Sequence, residues 1–165
     1  MIVSRIMIIS DSHGYNDWVK AAVKRAEHFD MLIHCGDLQC DPKEIEDMVS
    51  CPCYMVRGNC DYRADLPSSR TVLVPDHKIY IVHGHIQGVQ YDLDDLENEA
   101  FSNGCDIALF GHTHRPCLEQ ENGITMFNPG SVAQPRQDSR EKTYGILEID
   151  EYGEFQLYHE VIGKK

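Results

Sequence analysis

Seven candidate metal-ligating side chains occur in five short polar segments of this 165-residue chain. The segments are Asp11-Ser12-His13, Gly36-Asp37, Gly58-Asn59-Cys60-Asp61, His83-Gly84-His85 and Gly111-His112-Thr113-His114. Carboxylate, imidazole and amide groups together suit ions such as manganese, iron, zinc or magnesium. The candidate metal ligands are Asp11, His13, Asp37, Asn59, His83, His112 and His114. One Asp-x-His or Gly-Asp segment means little alone, but five in one chain predict a site for several ions.

Each segment follows, directly or after one residue, an apolar run that is typical of a β-strand. The runs cover residues 6–9, 31–35, 53–56, 79–82 and 107–110, with Ser10 before the first segment and Arg57 before the third. In an α/β sheet, ligands gather outside the carboxyl ends of the strands. We therefore expect the seven side chains to meet at one edge of the fold.

The spacing inside two segments supports this convergence. Asp11 and His13 are two residues apart, as are His112 and His114. In extended backbone, residues i and i+2 lie on the same face, so each pair is expected to reach toward one metal cluster. His34 lies inside a predicted strand instead, which favours a packed strand residue over a ligand.

Strands and helices alternate through the first two thirds of the chain, and short strands fill the last third. Helices are predicted at 17–27, 42–49 and 92–103, with a hairpin formed by strands 71–74 and 78–82. The last strands are predicted at 117–120, 124–127, 143–149 and 155–161. This order predicts an α/β fold in which two sheets carry helices on their outer faces.

Composition limits the classes of function. The length predicts a single domain over residues 1–165. A formal net charge of −12 makes a nucleic acid polymer an unfavourable partner, because such binding depends on cationic contacts to phosphate. No apolar run approaches the roughly 20 residues that cross a bilayer, so no membrane association is expected. The N-terminus lacks the pattern of a signal peptide, and seven irregularly spaced cysteines are typical of free thiols in a reducing compartment; both favour the cytoplasm. The oligomeric state stays open.

The five segments, in this order and each after a strand, resemble the calcineurin-like metallophosphoesterases. The resemblance runs from Asp11 to His114, and Gly58-Asn59-Cys60-Asp61 and Asn128-Pro129-Gly130-Ser131 point to the small bacterial and archaeal phosphodiesterases of the YfcE type. It implies a four-layer α/β/β/α sandwich. It also implies that Asp11, His13 and His114 bind a first ion, that Asn59, His83 and His112 bind a second, and that Asp37 bridges the two with its two oxygens.

The resemblance implies a phosphodiesterase that hydrolyses a small organic phosphate ester with two divalent ions per chain. Manganese is the first expectation, with iron, zinc, nickel or magnesium as alternatives. A hydroxide held between two such ions would attack phosphorus in line. The same ligands also suit a phosphomonoesterase or a nucleotide pyrophosphatase. A protein-binding scaffold like the retromer subunit of this fold is a further alternative, although that relative has a degraded metal site.

One position departs from the family pattern. Many calcineurin-like enzymes carry a histidine after the metal-binding asparagine, and that histidine assists the leaving group, whereas this chain has Cys60. A neutral thiol is a poor proton donor to an alkoxide. His85, two residues after His83, is the candidate to contact the leaving group or the phosphate, with a structural role as the alternative.

Overall fold

A computed structural model of the chain describes residues 1–164, with the side chain of Lys164 excepted. Thirteen helices and strands follow one another in those residues. They are β1 (Ile2–Ile9), α1 (Asn16–Ala26), β2 (Met31–His34), α2 (Pro42–Glu46), β3 (Cys53–Met55), β4 (Ser69–Val74), β5 (His77–Val82), α3 (Asp94–Ser102), β6 (Ile107–Leu109), β7 (Pro116–Glu121), β8 (Ile124–Pro129), β9 (Glu141–Asp150) and β10 (Phe155–Lys164). Each corresponds to a predicted helix or strand, and the predicted bounds are displaced by a few residues.

The strands form two five-stranded mixed sheets, in the orders β10-β9-β1-β2-β3 and β4-β5-β6-β8-β7. In the first sheet β1, β2 and β3 are parallel, and β9 joins β1 antiparallel. In the second sheet β5, β6 and β8 are parallel. The five strands that precede the predicted ligand segments are β1, β2, β3, β5 and β6, so these segments leave the carboxyl ends of parallel strands.

The side chains of β1 show how the layers are held together. Ile6 and Ile8 pack in a core with residues of both sheets, including Ile81 and Phe127. Met7 and Ile9 point to the opposite face, where they pack in a second core that contains residues of α1 and α2. This alternation is the two-residue period of a strand, and it buries β1 on both faces.

A third core lies between the second sheet and α3, where Leu96 and Ala100 of the helix pack with Tyr80 and Ala108. Helices therefore cover the outer face of each sheet, and the predicted α/β/β/α sandwich is confirmed. Within residues 1–164, no helix is long and apolar enough to span a membrane. All seven cysteines are free thiols, as predicted; Cys35 and Cys105 are buried and the others partly buried.

The start of α2 is held by a local cap. Asp41 precedes the helix and accepts a hydrogen bond from the Lys43 backbone N–H at 3.0 Å, while Glu44 accepts one from the Asp41 N–H at 3.4 Å. Together they form a capping box, and Pro42 occupies the first turn, where its missing N–H costs nothing. This cap fixes the loop between β2 and α2, next to Asp37.

Candidate metal centre

Four of the predicted ligands come together at the carboxyl edge of the sheets. One ligand atom from each lies within 4.8 Å of the others; these residues are Asp11, His13, Asp37 and His114, which we call the ligand cluster. Three of them are buried and His13 is partly buried. The cluster joins the loops after β1, β2 and β6, which lie up to about a hundred residues apart in the chain.

The two imidazoles of the cluster face each other through bare nitrogens. Nδ1 of His13 donates to Oε1 of Gln39 at 2.6 Å, and Nδ1 of His114 donates to the Gln134 carbonyl at 2.7 Å. In the neutral imidazoles the proton is then on Nδ1, and each Nε2 presents a lone pair. These two Nε2 atoms are 3.1 Å apart. Two lone pairs at that distance repel each other unless a cation lies between them, so the arrangement fits a metal ion.

Asp11 is oriented so that one oxygen faces the cluster. Its Oδ2 accepts hydrogen bonds from Ser10 Oγ at 2.6 Å and from the His112 N–H at 3.1 Å. Its Oδ1 is buried without a hydrogen-bond partner and lies 3.2 Å from Nε2 of His114. Burial alone would raise the pKa of Asp11, but the adjacent imidazoles of His114 and His83 hold that pKa below its usual value. An ionised, unpartnered carboxylate oxygen is a suitable metal ligand.

The two oxygens of Asp37 also have separate partners, as those of Asp11 do. Its Oδ1 accepts from the Cys60 N–H at 2.8 Å, and its Oδ2 lies 3.2 Å from Nε2 of His83 and 3.7 Å from Nε2 of His13. Burial opposes ionisation, but the adjacent His83 imidazole and the Cys60 N–H outweigh it and keep the pKa of Asp37 well below its usual range. Oδ2 thus lies between the imidazoles of His13 and His83.

His83 and His112 form a second group beside Asp37. Nδ1 of His83 donates to the Cys35 carbonyl at 2.8 Å, while its Nε2 is buried without a hydrogen-bond partner. Burial lowers the pKa of His83, but Asp37 and Asp11 outweigh that effect and raise it overall. The His112 ring lies 5.2 Å from the His83 ring, in an edge-on arrangement. A second set of nitrogen donors is therefore present on the other side of Asp37.

Asn59 and His85 lie farther out. Asn59 is exposed, and its amide nitrogen lies 3.6 Å from Sγ of Cys60. His85 is half-buried, with its ring 5.4 Å from that of His83 and 6.2 Å from that of His112, and its Nδ1 is buried without a partner. Burial and the neighbouring His83 lower the pKa of His85. The structure brings His85 to the rim of the centre, beside the second group of nitrogens.

The loops that carry the ligands are not extended, and this corrects the argument from i, i+2 spacing. Six of the ten non-glycine residues with positive φ in the described part of the chain belong to these loops; they are Asp11, His13, Asp37, Gln39, His112 and His114. L-residues adopt this left-handed conformation only when the surroundings impose it, and such strain clusters at functional sites. The pairs converge because tight loops turn their side chains inward.

Three residues that are not among the predicted ligands hold these loops in place. Asp61 is buried and accepts backbone hydrogen bonds from Asp37 (2.8 Å), Gly58 (2.9 Å) and Gln39 (2.9 Å). Gln39 itself orients His13. His34, confirmed as a packed strand residue, accepts from the Gly36 N–H at 3.0 Å and therefore donates to Ser12 Oγ at 2.9 Å. Burial lowers the pKa of His34 to about 4, which keeps the ring neutral for this link.

The Asn128-Pro129-Gly130-Ser131 turn supports the centre from behind. Ser131 Oγ donates to the Asp11 carbonyl at 2.8 Å and accepts from the Gln134 N–H at 2.7 Å. The amide of Asn128 donates to the Gly111 carbonyl at 3.0 Å. Both side chains are buried and bound to loop groups, so this turn positions the ligand loops.

Close approach also explains why two of these loops contain glycine. A Cβ built on Gly111 would overlap Ser10 Oγ and would lie 2.7 Å from Oδ2 of Asp11. A Cβ on Gly58 would overlap Oδ1 of Asp37. Each glycine gives a ligand carboxylate room to lie against the backbone.

The chain is similar in sequence and in structure to known phosphoesterases. The family model described as the calcineurin-like phosphoesterase superfamily domain matches residues 5–152. The probable metallophosphoesterase YsnB of Bacillus subtilis is 34% identical over 148 residues, which are 88% of this chain and 84% of that protein. The phosphodiesterase YfcE of Escherichia coli K12 is 36% identical over 103 residues, which are 58% of this chain and 52% of YfcE. A crystal structure of a predicted phosphoesterase from Streptococcus pneumoniae has a TM-score of 0.84 at 29% identity, and the match covers 98% of this chain and 91% of that one.

Proposed function

The chain belongs to the calcineurin-like phosphoesterase superfamily, and on this premise we propose that it is a single-domain phosphodiesterase that uses two divalent cations to hydrolyse a small organic phosphate ester. One observation carries the proposal. The bare Nε2 atoms of His13 and His114 lie 3.1 Å apart beside the unpartnered Oδ1 of Asp11. Inward-facing donors of this kind suit a metal cation, which favours a metalloenzyme over a protein-binding scaffold.

Two ions would divide the seven ligands around Asp37. Asp11, His13 and His114 would hold the first ion. His83, His112 and Asn59 would hold the second, with a side-chain movement of the exposed Asn59 toward His83. Asp37 would be shared by the two ions, and the hydrogen bond from the Cys60 N–H would orient its carboxylate so that Oδ2 faces His83 and His13. Manganese suits this mixture of carboxylate, imidazole and amide donors, and iron, zinc, nickel and magnesium are the ions to compare with it.

When bound, the two cations supply Lewis acidity, which brings the pKa of a coordinated water toward neutrality and neutralises phosphoryl oxygens. The residues of the chain supply orientation. Hydrogen bonds donated by the Nδ1 atoms of three histidines to oxygens of Gln39, Cys35 and Gln134 fix the ring positions, so that the Nε2 lone pairs point inward. Outer partners of this kind typically change metal affinity or activity by about 10–100-fold when they are removed.

His85 is the side chain that we propose to contact the phosphate or the leaving group. Its ring lies at the rim beside His83 and His112, and its buried Nδ1 has no partner among the described residues. Burial and then the charge of Asp37 raise the pKa of the Cys60 thiol to about 11, so Cys60 is a weaker proton donor than the histidine that many family members carry at this position. Good leaving groups should therefore be favoured, which suits aryl and other activated diesters.

The proposal is tested with purified protein that has been stripped of metal and reloaded with Mn²⁺. We expect hydrolysis of bis-p-nitrophenyl phosphate to depend on added metal and to exceed hydrolysis of p-nitrophenyl phosphate. Asp37→Asn keeps an acceptor for the Cys60 N–H but removes the charge, so it should abolish turnover. Asp95→Asn, which changes an exposed carboxylate on α3, is the matched control and should retain activity. Faster turnover of the monoester would favour the phosphomonoesterase alternative, and full activity of Asp37→Asn would refute the two-ion proposal.

A further inference from the structure

A cavity of about 680 Å³ opens directly beside the ligand cluster. Residues 39–42, in the loop after β2, form one wall, and residues 60–65, in the loop after β3, form the other. Two of its lining residues contact the ligands themselves. Gln39 accepts the hydrogen bond from His13, and the Cys60 N–H donates to Asp37. A phosphate ester bound at the cluster would therefore have one organic substituent within reach of this cavity.

The walls offer surface for a planar group. Cys40, Pro42 and Ala64 contribute apolar atoms, and Tyr62 lies at the cavity with 86% of its surface exposed. An aromatic ring with so little packing inside the protein is free to stack on a ligand. The volume lies within the range of about 300–1,000 Å³ that is usual for small-molecule sites, and it is sufficient for a nucleoside.

The charges around the cavity select against an anionic substituent. Asp41, Asp61 and Asp65 line it, while Arg63 is the cation among its lining residues. The carboxylates of Asp41 and Asp61 are already engaged by backbone N–H groups, so they contribute negative charge without offering free acceptors in every direction. A second phosphate would be repelled here, whereas an uncharged ring would not.

We propose that this cavity binds the uncharged planar group of the phosphate ester, such as the base of a nucleoside, and that Tyr62 stacks on it. The inference rests on the proposed function, because it assumes that the phosphate itself is held at the ligand cluster. It narrows the substrate to esters of nucleoside or aryl type, and it disfavours substrates whose second arm is a phosphate.

Calorimetric titration of the Mn²⁺-loaded protein with AMP and with methyl phosphate tests the inference. Both ligands carry a phosphate monoester, and AMP alone carries a base. Stacking on an aromatic side chain is worth roughly 5- to 150-fold in affinity. We therefore expect AMP to bind at least about 10-fold more tightly than methyl phosphate. Tyr62→Ala should remove most of this advantage without changing the Kd of methyl phosphate, and Tyr62→Phe should keep it.

Tyr152 provides the matched control. It is 82% exposed and lies in the turn between β9 and β10, next to the start of β1 and thus at the end of the sheet opposite the ligand cluster. Tyr152→Ala should leave both affinities unchanged.

Equal affinity of wild-type protein for AMP and methyl phosphate would overturn the inference, as would an advantage of AMP that survives Tyr62→Ala. In either case, methyl phosphate binding together with hydrolysis of bis-p-nitrophenyl phosphate would show that the proposed function itself stands. A metal-loaded protein that neither binds methyl phosphate nor hydrolyses the diester would refute the proposed function, and the assignment of the cavity with it.

Discussion

Replacing Asp61 should destabilise the fold more than replacing any exposed carboxylate, although Asp61 is not a predicted ligand. Its carboxylate accepts three backbone hydrogen bonds, from Asp37, Gly58 and Gln39, and it is only 3% exposed. A hydrogen bond to a charged group contributes about 1.5–3 kcal/mol, and a buried donor left without a partner costs about 1–3 kcal/mol. The Gln39 donor is only partly buried, so water can replace part of its bond. We expect Asp61→Ala to cost about 3–5 kcal/mol.

Asp61→Asn separates the three bonds. The bonds from Asp37 and Gly58 both end on Oδ2, and the bond from Gln39 ends on Oδ1. An asparagine can place its carbonyl oxygen at the Oδ2 position and keep two bonds, but its amino group then faces the Gln39 N–H. We expect a smaller loss of about 1.5–3 kcal/mol.

Urea unfolding of the metal-free proteins in the presence of a chelator measures these losses without a contribution from bound ions. Asp65→Ala is the control and should change the free energy of unfolding by no more than about 0.5 kcal/mol. If the free energy of unfolding of Asp61→Ala lies within about 1 kcal/mol of the wild-type value, Asp61 does not anchor these loops. The same conclusion follows if Asp61→Asn lowers that free energy as much as Asp61→Ala does.

Three further predictions concern other parts of the molecule. Gly111→Ala should weaken Mn²⁺ binding at least about 10-fold by displacing a ligand carboxylate, whereas Gly163→Ala, whose Cβ meets nothing within 4 Å, should bind as wild type in the same titration. Burial opposes the charged form of His77, but its hydrogen bonds to Asp106 and to a backbone carbonyl raise its pKa overall. The stabilisation by His77 should therefore be complete below about pH 6.5 and lost as pH rises through the higher folded pKa. In thermal unfolding, the Tm values of wild type and His77→Gln should converge from about pH 6 to about pH 9. Cys60→His should accelerate hydrolysis of alkyl esters by up to about 10²-fold, and more than that of aryl esters. Equal acceleration of both classes would contradict the argument that position 60 lacks a proton donor for the leaving group.

The sequence contained enough information for the order of helices and strands and for most of the residues that the structure brings together at the candidate metal centre. A continuous apolar run such as Ile6-Met7-Ile8-Ile9 predicts a strand buried on both faces, and the polar segments after such strands mark the sheet edge. These signals are local, and they are sufficient because the carboxyl ends of parallel strands lie at the same edge of the sheet.

What the sequence could not supply depends on contacts between distant residues. The left-handed conformation of Asp11 or His112 is imposed by loops around it, so local spacing suggested an extended backbone instead. Asp61 and Gln39 are ordinary loop residues until the fold brings the loops after β2 and β3 together. Asp61 does stand inside a recognised segment, and its position there was the one available signal of its role.

The central claim is that Asp37 is shared by two ions, and anomalous diffraction from crystals of the Mn²⁺-loaded protein tests it most directly. We predict two anomalous peaks per chain, about 3.5–4 Å apart. The carboxylate of Asp37 should be within bonding distance of both. A single peak at saturating Mn²⁺, or an Asp37 that contacts neither ion, would contradict the account.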